Sequence, residues 1–456
     1  MRKAIFLVED IDKHGPVTLL ESIYNKLRRH LLDKKGRQLA WLSEVQRMLW
    51  RYPSDEITFV KGIDFVNDVN VNGMPSDVDV YYFVSCYQNL TNFTFNNFLA
   101  LDPAVADFLV ANNIPVIIDC SLEVDDNYYQ VTRKLFENDT FSTLDAANSH
   151  SQAYFRNLCR LEFYIVGSTH FPDTWDERNN STAPRKVKVY HGIFPGCFFF
   201  HNTHGHDVNT TLNNRRQETI DIIRSRKITD ETKVWRALSS EPRFTRGLFQ
   251  LKVESMGLTE VGEYSRLKPG AKIFKKWHDT LCSDPGDRKR TLYVTHESMS
   301  TLDEIKIIDK VDLDNRNLDY YKNSEFMVWV VLETSFMNEL PLMSNTASMM
   351  TEKTMQPVIS GHPFITYGGQ HLGTMLKSLG FKEYPGLEFP TQRHTLDEIE
   401  DVTKKLMALK NLTVEQRNEL YETWKEIAVY NFETYLDMNV QRKYLDNLEM
   451  MKSRGT

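Results

Sequence analysis

Two acids and a lysine lie close together in the sequence near residue 350. Glu333 follows the apolar run Phe326–Leu332, which is typical of a buried strand, and a Thr-Glu-Lys step at 351–353 can begin a helix. A second apolar strand starts at Pro363, so the stretch predicts a strand–helix–strand unit. In open α/β sheets, ligands bind at the carboxyl edge, where a helix N-terminus favours anions. The stretch therefore predicts a pocket for a nucleotide diphosphate.

Four residues are expected to line this pocket. Lys353 would bind phosphate beside the helix start at Thr351, while Glu352 and Glu333 would contact the ribose or the second substrate. A strand-end acid that caps a loop is the alternative interpretation of Glu333. Pro357 lies beyond the first turn, so a short or bent helix is expected.

These ordered residues resemble the donor half of GT-B glycosyltransferases, especially the α1,3-fucosyltransferase-like group and glycosyltransferases of large DNA phages. That group has an acid at a strand end, a Ser/Thr-Glu-Lys step, a small residue, a proline and an apolar strand. The matching residues are Glu333, Thr351, Glu352, Lys353, Gly361, Pro363 and Gly368. The resemblance implies an α/β fold of two Rossmann-like domains facing a cleft, with C-terminal helices. It also implies sugar transfer from a nucleotide-diphospho-sugar.

Two arginines are further candidates for the donor side. Arg243 and Arg246 lie where the first loop of the second α/β set meets a helix. The resemblance and the helix dipole both favour donor phosphates at this position. We expect at least one of the two to bind phosphate, and an ordinary amphipathic first turn is the alternative.

The resemblance implies that the base that activates the acceptor comes from the first domain. Asp119 and Glu123 flank the end of the apolar run Pro115–Glu123, and Asp10 follows the first strand. Partial burial can raise the pKa of a carboxyl group towards neutrality, so that it removes a proton from a hydroxyl. Loop capping or a buried hydrogen bond is the alternative role for these acids.

A histidine cluster is the main competing signal. His201, His204 and His206 precede Asp207, and the spacing resembles the start of the metallo-β-lactamase ligand motif. The chain departs from that motif because Asp207 directly follows His206 and no histidine comes next. These histidines could instead line the acceptor cleft, supply the base, or be plain loop residues. We expect no metal and no cofactor beyond the nucleotide-sugar co-substrate.

Composition limits the class of protein. A chain of 456 residues with 41% apolar and 26% charged residues is expected to form two soluble domains without a membrane span. Five widely spaced cysteines indicate a reducing compartment, so we expect a cytoplasmic location, or the host cytoplasm if a phage encodes the chain. The net charge of −7 argues against nucleic-acid binding through bulk charge. A local basic strip containing Arg215, Arg216, Arg224 and Arg226 would suffice for DNA binding, and solvated helix faces are the alternative interpretation of these arginines.

The pattern of elements predicts where the domains divide. Strands are expected at Ala4–Val8, Val78–Cys86, Pro115–Glu123, Phe163–Gly167, Lys186–Ile193 and Cys197–His201, with helices at Val17–Leu49 and Ala104–Ala111. We expect an acceptor-side domain over 1–227, a donor-binding domain over 228–395, and helices over 396–456 that pack back on the first domain.

The acceptor has several candidates. Resemblance to phage enzymes favours a 5-hydroxymethyl pyrimidine in DNA, which would have to leave the base stack. A glycan or a small molecule is the alternative acceptor. A metallohydrolase built on His201–Asp207 and a non-catalytic nucleotide-binding protein are the alternatives from other classes.

Overall fold

The structure of the protein is a computed structural model. The residues it describes are 3–8, 56–85, 102–121, 161–167, 169–170, 189–194, 212–237, 244–264, 326–333, 348–350, 352–367, 370–389 and 395–454. The chain divides into two compact units. Unit 1 combines Met1–Phe200 with Asn439–Thr456, and unit 2 is His201–Met438.

Unit 1 is built on a six-stranded parallel sheet. Its strands are β1 (Lys3–Val8), β2 (Ile57–Lys61), β3 (Val78–Ser85), β4 (Val116–Cys120), β5 (Phe163–Gly167) and β7 (Val189–Ile193); the two-residue β6 (Thr169–His170) is not among them. The spatial order is β2-β1-β3-β4-β5-β7. Because β2 and β3 lie on opposite sides of β1, the winding reverses between β1 and β3. In sheets of this kind the crevice at such a reversal is where ligands bind.

Three helices of unit 1 are described: α1 (Gly62–Asn72), α2 (Pro103–Ala111) and α9 (Val440–Arg454). Helix α2 begins where sequence rules expect, because the Asp102 side chain accepts a 2.8 Å hydrogen bond from the Ala104 amide and Pro103 follows the cap. Helix α9 lies against the face of the sheet that carries Phe6 and Gly192. Its Tyr444 ring contacts Phe6 edge-on, and Met451 covers Gly192.

Unit 2 is built on a second, four-stranded parallel sheet. Its strands are β8 (Lys233–Ala237), β9 (Gly262–Tyr264), β10 (Phe326–Leu332) and β12 (Phe364–Tyr367), in the spatial order β12-β10-β8-β9. The two-residue β11 (Ser348–Met349) is not part of this sheet. All seven residues of β10 are buried, as expected for a parallel strand covered on both faces. The winding reverses between β8 and β10, so their carboxyl ends flank the candidate ligand crevice.

Six α-helices of unit 2 are described: α3 (Arg216–Ser225), α4 (Phe244–Ser255), α5 (Glu352–Ser360), α6 (Gln370–Ser378), α7 (Thr395–Lys410) and α8 (Val414–Leu436). A 3₁₀ turn at Leu258–Glu260 follows α4. Helix α8 begins with a capping box between Thr413 and Gln416. Helix α4 packs Phe249 against Trp235 on β8 and Tyr367 on β12.

The observed units differ from the expected division in two ways. Unit 2 begins at His201 instead of residue 228, and only α9 of the C-terminal helices belongs to unit 1. Helices α7 and α8 lie in unit 2, where α8 contacts α3 and α5, and α7 contacts α4. The reason is visible in α8, whose apolar residues Trp424, Ala428 and Tyr435 are buried within unit 2.

Most predicted elements that fall on described residues are confirmed. Strands β1, β3, β5 and β10 and helix α2 match their predicted bounds within one residue. Strand β4 is shorter than Pro115–Glu123, and β7 covers the described part of the predicted strand Lys186–Ile193. The predicted helix at Val17–Leu49 and strand at Cys197–His201 lie outside the described residues. None of the helices in the described part of the chain has the length and apolar composition of a membrane-spanning segment.

Candidate functional site

Glu333 connects the end of β10 to the start of α5. Its Oε1 atom accepts hydrogen bonds from the Thr354 amide at 3.2 Å and from the Thr354 hydroxyl at 2.5 Å. Glu333 is only 1% exposed, and Thr354 is the third residue of α5. The carboxylate therefore caps a helix whose first-turn amides lack intrahelical partners, and its charge complements the helix dipole.

Lys353 lies one residue before Thr354, on the same helix start, and its side chain is partly exposed. The structure thus brings Glu333 and the Glu-Lys step to one sheet edge. Glu352 is the first residue of α5, but its side chain lies outside the described atoms. Thr351 lies outside the described residues.

The other end of α5 is also held in place. Gly361 adopts φ 62° and begins a Schellman motif, in which the His362 amide donates to the Pro357 carbonyl at 2.9 Å. The half-buried Arg226 side chain donates to the carbonyls of Ser360, at 2.7 Å, and Gly361. Burial lowers the pKa of Arg226. The helix is nine residues long despite containing Pro357, which agrees with the short helix expected from the sequence.

Arg246 lies in the first turn of α4, the helix that follows β8, and it is 3% exposed. Strand β8 is the neighbour of β10, so α4 and α5 both begin near the reversal point of the unit 2 sheet. Arg243, the second arginine candidate, lies outside the described residues. Two basic residues, Arg246 and Lys353, are therefore placed on the two helices that follow the central strands.

Asp119 is a buried carboxyl group at the carboxyl end of β4, with no exposed surface. Its Oδ1 atom accepts hydrogen bonds from the Ser121 amide at 3.0 Å and the Ser121 hydroxyl at 2.8 Å. Its Oδ2 atom accepts a hydrogen bond from the Tyr444 hydroxyl on α9. Burial raises the pKa of Asp119 to about 6, while the hydrogen bonds from Tyr444 and Ser121 oppose that rise.

A carboxyl group with a pKa raised towards neutrality can accept a proton near neutral pH, which is a requirement of a general base. Glu123 and Asp10, the other two candidate bases, lie outside the described residues. The same is true of the acceptor-side candidates His201, His204 and His206. Among the described residues, no group of three or more His, Cys, Asp or Glu side chains is arranged to hold a metal ion.

Three arginines of the expected basic strip form ion pairs with acidic side chains of unit 2. Arg216 forms a bidentate ion pair with Asp437 at 2.8 Å and a further bond with Glu433 at 3.0 Å, both on or next to α8. Arg215 pairs with Glu218 on its own helix. Arg224 binds both carboxylate oxygens of Glu426 on α8. The contacts of Arg216 and Arg224 hold α3 against α8, and all three pairs offset the positive charge that a phosphate backbone would require.

Three polar residues at these sites were not predicted as site residues: Tyr444, Asn447 and Thr354. Tyr444 reaches Asp119 from 325 positions away in the sequence, so no local motif could connect them. Asn447 follows one helical turn later on α9 and is 6% exposed. The sequence offers one indication of Tyr444 and Asn447, which is their spacing of three residues on an amphipathic helix. This spacing is common to many buried helix faces.

Comparison with known proteins gives no assignment: no protein family model matches the chain, and no curated protein sequence matches it.

Proposed function

We propose that the protein is a GT-B-type glycosyltransferase that transfers a sugar from a nucleotide-diphospho-sugar to an acceptor hydroxyl. The observation that carries the proposal is the reversal point of the unit 2 sheet. There, Glu333 at the end of β10 caps the helix that bears Lys353, and Arg246 lies in the first turn of the adjacent α4. An anion-binding helix start with two nearby cations suits a diphosphate leaving group.

Unit 2 is the donor side in this proposal. Lys353 and Arg246 offset the negative charge that develops on the diphosphate as the sugar leaves. Glu333 already accepts from the Thr354 amide, so the diphosphate depends more on these two side chains than on the helix amides. Glu352 orients the ribose through its carboxylate. In this proposal, the role of Glu333 is to position α5 through its hydrogen bonds with Thr354.

Unit 1 is the acceptor side, and the proposal includes the GT-B arrangement in which donor and acceptor bind to different domains. Asp119 removes the proton from the acceptor hydroxyl if the reaction inverts the sugar's configuration. Its raised pKa and its fixed carboxylate both support that role. The hydroxyl oxygen attacks the anomeric carbon, the bond from that carbon to the diphosphate breaks, and the proton is held on Asp119.

The acceptor that we propose is a 5-hydroxymethyl pyrimidine in DNA, with a glycan or a small molecule as the alternative outcome. The paired state of Arg216 and Arg224 means that this acceptor assignment does not depend on them. An unmodified pyrimidine offers no hydroxyl nucleophile at that position. The hydroxymethyl group is therefore the chemical requirement that separates this acceptor from ordinary DNA.

The test is a mass-spectrometric screen of purified protein against common nucleotide-sugars, first for donor hydrolysis and then for transfer. Duplexes with and without 5-hydroxymethyl pyrimidines serve as matched acceptors. We expect sugar on the modified duplex alone. Donor cleavage without transfer to either duplex would replace DNA with a glycan or small molecule, and failure to bind or cleave every donor would reject the glycosyltransferase assignment.

A further inference from the structure

Asp119 has no exposed surface, although the proposed reaction requires this carboxyl group to reach an acceptor. Its Oδ1 atom accepts two hydrogen bonds from Ser121, and its Oδ2 atom accepts one from the Tyr444 hydroxyl. Ser121 follows Asp119 directly along the chain, whereas Tyr444 belongs to α9. Among the described elements, α9 is therefore the one that covers Oδ2, and a substrate reaches this oxygen by displacing α9.

Side-chain contacts hold α9 on unit 1. The chain connects α9 to α8, a helix of unit 2, through residues 437–439. The contacts with unit 1 include Gln441, whose Oε1 atom accepts a 2.9 Å hydrogen bond from the Ile57 amide. They also include the Tyr444 ring, which packs edge-on against Phe194 at 4.9 Å. Helix α9 can therefore leave the sheet without breaking the backbone hydrogen bonds between the six strands.

Two polar groups oppose the docking of α9. Asp119 loses its hydration beneath the helix, and burial of an ionised carboxylate is unfavourable. Asn447 is 6% exposed, and neither atom of its amide has a hydrogen-bond partner among the described residues. Water would bond both atoms in the undocked state. The buried Leu445, Leu448 and Met451 favour docking. Docking is thus a balance that the ionisation of one carboxyl group can shift.

We propose that α9 is a pH-sensitive cover over Asp119, which docks on the unit 1 sheet most tightly when this carboxyl group is protonated and loosens when it ionises. The docking does not depend on the proposed function, whereas the role of Asp119 as the base rests on it. Ionisation prepares the carboxylate to accept a proton and, in the same step, favours its exposure to the acceptor.

The direction of the pH effect follows from the two states of Asp119. Burial raises its pKa from the ordinary value of 3.8 to about 6 in the docked state, while the bonds from Tyr444 and Ser121 oppose that rise. Hydration in the undocked state returns the pKa towards the ordinary value. Docking should therefore be strongest below about pH 4 and should weaken as pH rises through about 6. The total change in the docking equilibrium is on the order of a hundredfold.

Other titratable groups of unit 1 have a different sign or position. Arg442 on α9 pairs with Glu56, next to β2, at 3.8 Å, and this pair favours docking when Glu56 is ionised. The remaining charged side chains described on α9 are at least partly exposed, and they are Lys443, Asp446, Glu449 and Lys452. The neighbouring strands carry titratable groups nearer the amino edge, two to six residues before the positions in register with Asp119. These groups are Asp79, Tyr81, Glu162, Tyr164 and Tyr190.

Hydrogen exchange of the full chain without substrates, measured by mass spectrometry from about pH 4 to about pH 8, tests the docking. After correction for the chemical exchange rate, the opening constant of α9 should rise on the order of a hundredfold across this range. Helix α8 is the internal reference. Arg224 and Arg216 lower the pKa values of Glu426 and Asp437 on or next to α8, so its protection should not fall as pH rises.

Asp119→Asn keeps the size of the side chain and removes its charge. The opening constant of α9 in this variant should lose the rise with pH. Asp446→Asn is the matched control, because Asp446 is an exposed acid on α9 itself, and it should retain the rise. Equal pH dependence in the wild type and Asp119→Asn would overturn the proposal. Opening of α9 only together with strands β4, β5 and β7 would also overturn it.

Tyr444→Phe provides a second measurement. The variant loses a hydrogen bond that favours the ionised carboxylate, so the docked state keeps its proton to a higher pH. Opening of α9 at about pH 8 should exceed that of the wild type by about tenfold or more, with little difference at about pH 4. Equal changes at both pH values would show that Tyr444 acts through packing alone, which contradicts the proposal.

Asn447→Leu tests whether α9 must lift for transfer. Leucine has a similar size and removes the unbonded amide, so the opening constant of α9 should fall about tenfold at every pH. If the acceptor reaches Asp119 through the undocked state, kcat/KM for a duplex with 5-hydroxymethyl pyrimidines should fall by the same factor, with donor hydrolysis unchanged. Tighter docking with unchanged kcat/KM would overturn the cover. Absence of donor cleavage in the wild type would instead reject the proposed transferase, and hydrogen exchange would still measure docking.

Discussion

Lys353 is the residue on which donor binding depends most directly in this proposal. Lys353→Ala should weaken binding of nucleoside diphosphates about ten- to a hundredfold, because a charged hydrogen bond to phosphate contributes roughly 1.5–3 kcal/mol. Calorimetry on the folded variant measures this change. Lys404→Ala, an exposed lysine on α7 in the same unit, is the control and should leave affinity unchanged. Unaltered affinity in Lys353→Ala would remove the lysine from the donor site.

Asp119 gives a prediction about stability and pH. Its folded pKa of about 6 lies above the ordinary value of 3.8, so the folded protein holds this proton more tightly than the unfolded chain. The protein therefore loses stability as pH rises through this window, by up to about 3 kcal/mol once both states are ionised. Asp119→Asn removes the buried charge and should be more stable than the wild type near neutral pH.

Denaturant unfolding at about pH 8 and about pH 4 measures the difference in unfolding free energy between Asp119→Asn and the wild type. The stability gain should be large at the higher pH and much smaller at the lower one, where Asp119 is protonated in the folded wild type and only partly ionised in the unfolded chain. Sugar transfer should be lost in the variant, since an amide cannot accept the acceptor's proton. A variant that is less stable at both values would indicate a structural carboxylate.

Among the elements, α5 is fixed at its N-terminus by Glu333 and Thr354. Thr354→Val removes the hydroxyl hydrogen bond while keeping the side-chain shape, and Glu333→Gln keeps the acceptor oxygen but removes the charge. If Glu333 acts only by positioning α5, both variants should raise the donor KM by similar factors of roughly two to ten. A large effect in Glu333→Gln alone would mean that the carboxylate contacts the ribose directly.

Arg226 fixes the other end of α5, and a neighbouring arginine provides its comparison. Arg226→Ala leaves the carbonyls of Ser360 and Gly361 without their guanidinium donor in a buried position. We expect the unfolding free energy of unit 2 to fall by about 3 kcal/mol. Arg224→Ala, two residues earlier, removes a solvent-exposed pair with Glu426 and should change little. Equal losses in the two variants would contradict the capping role.

Elements with a continuous apolar pattern could be predicted from the sequence. Strand β10 has the bounds that its seven apolar residues predict, because a buried parallel strand requires little more than such a run. Strand β2 and helix α1 were not predicted. Helix α1 is rich in Asn, Asp and Val, which are weak helix formers, so packing of Phe65 and Val66 decides its structure. Strand β9 has three residues and exists through its pairing with β8.

The candidate site was predictable where it follows a strand. Asp119 and Glu333 stand directly at or after buried strands, so the sheet edge could be inferred from their positions. Their hydrogen-bond partners could not be inferred in the same way. Tyr444 reaches Asp119 from a distant segment, and Arg226 likewise reaches the C-terminal end of α5, and only the three-dimensional packing of α9 and α3 brings them there.

At the scale of the whole molecule, the proposal predicts catalysis that survives chelation. Lys353 and Arg246 can offset the charge of the leaving diphosphate, which is a role that metals perform in other enzymes. Transfer measured with and without EDTA should give the same rate. A loss of activity that zinc restores would favour the metallohydrolase interpretation of His201–Asp207, whose residues lie outside the described part of the chain.

The return of α9 to unit 1 has a consequence for the order in which the protein is made. Translation proceeds from the N-terminus, and domains usually begin to fold as they emerge. Tyr444 and Asn447 are synthesised after all of unit 2, yet they belong to the unit that begins at Met1. When the unit 1 sheet has emerged from the ribosome, Asp119 therefore still lacks the hydrogen bond from Tyr444. Nascent chains stalled before Asn439 would carry the unit 1 sheet without helix α9, so the Asp119 carboxyl group gains its hydrogen bond from Tyr444 only after synthesis has passed α9.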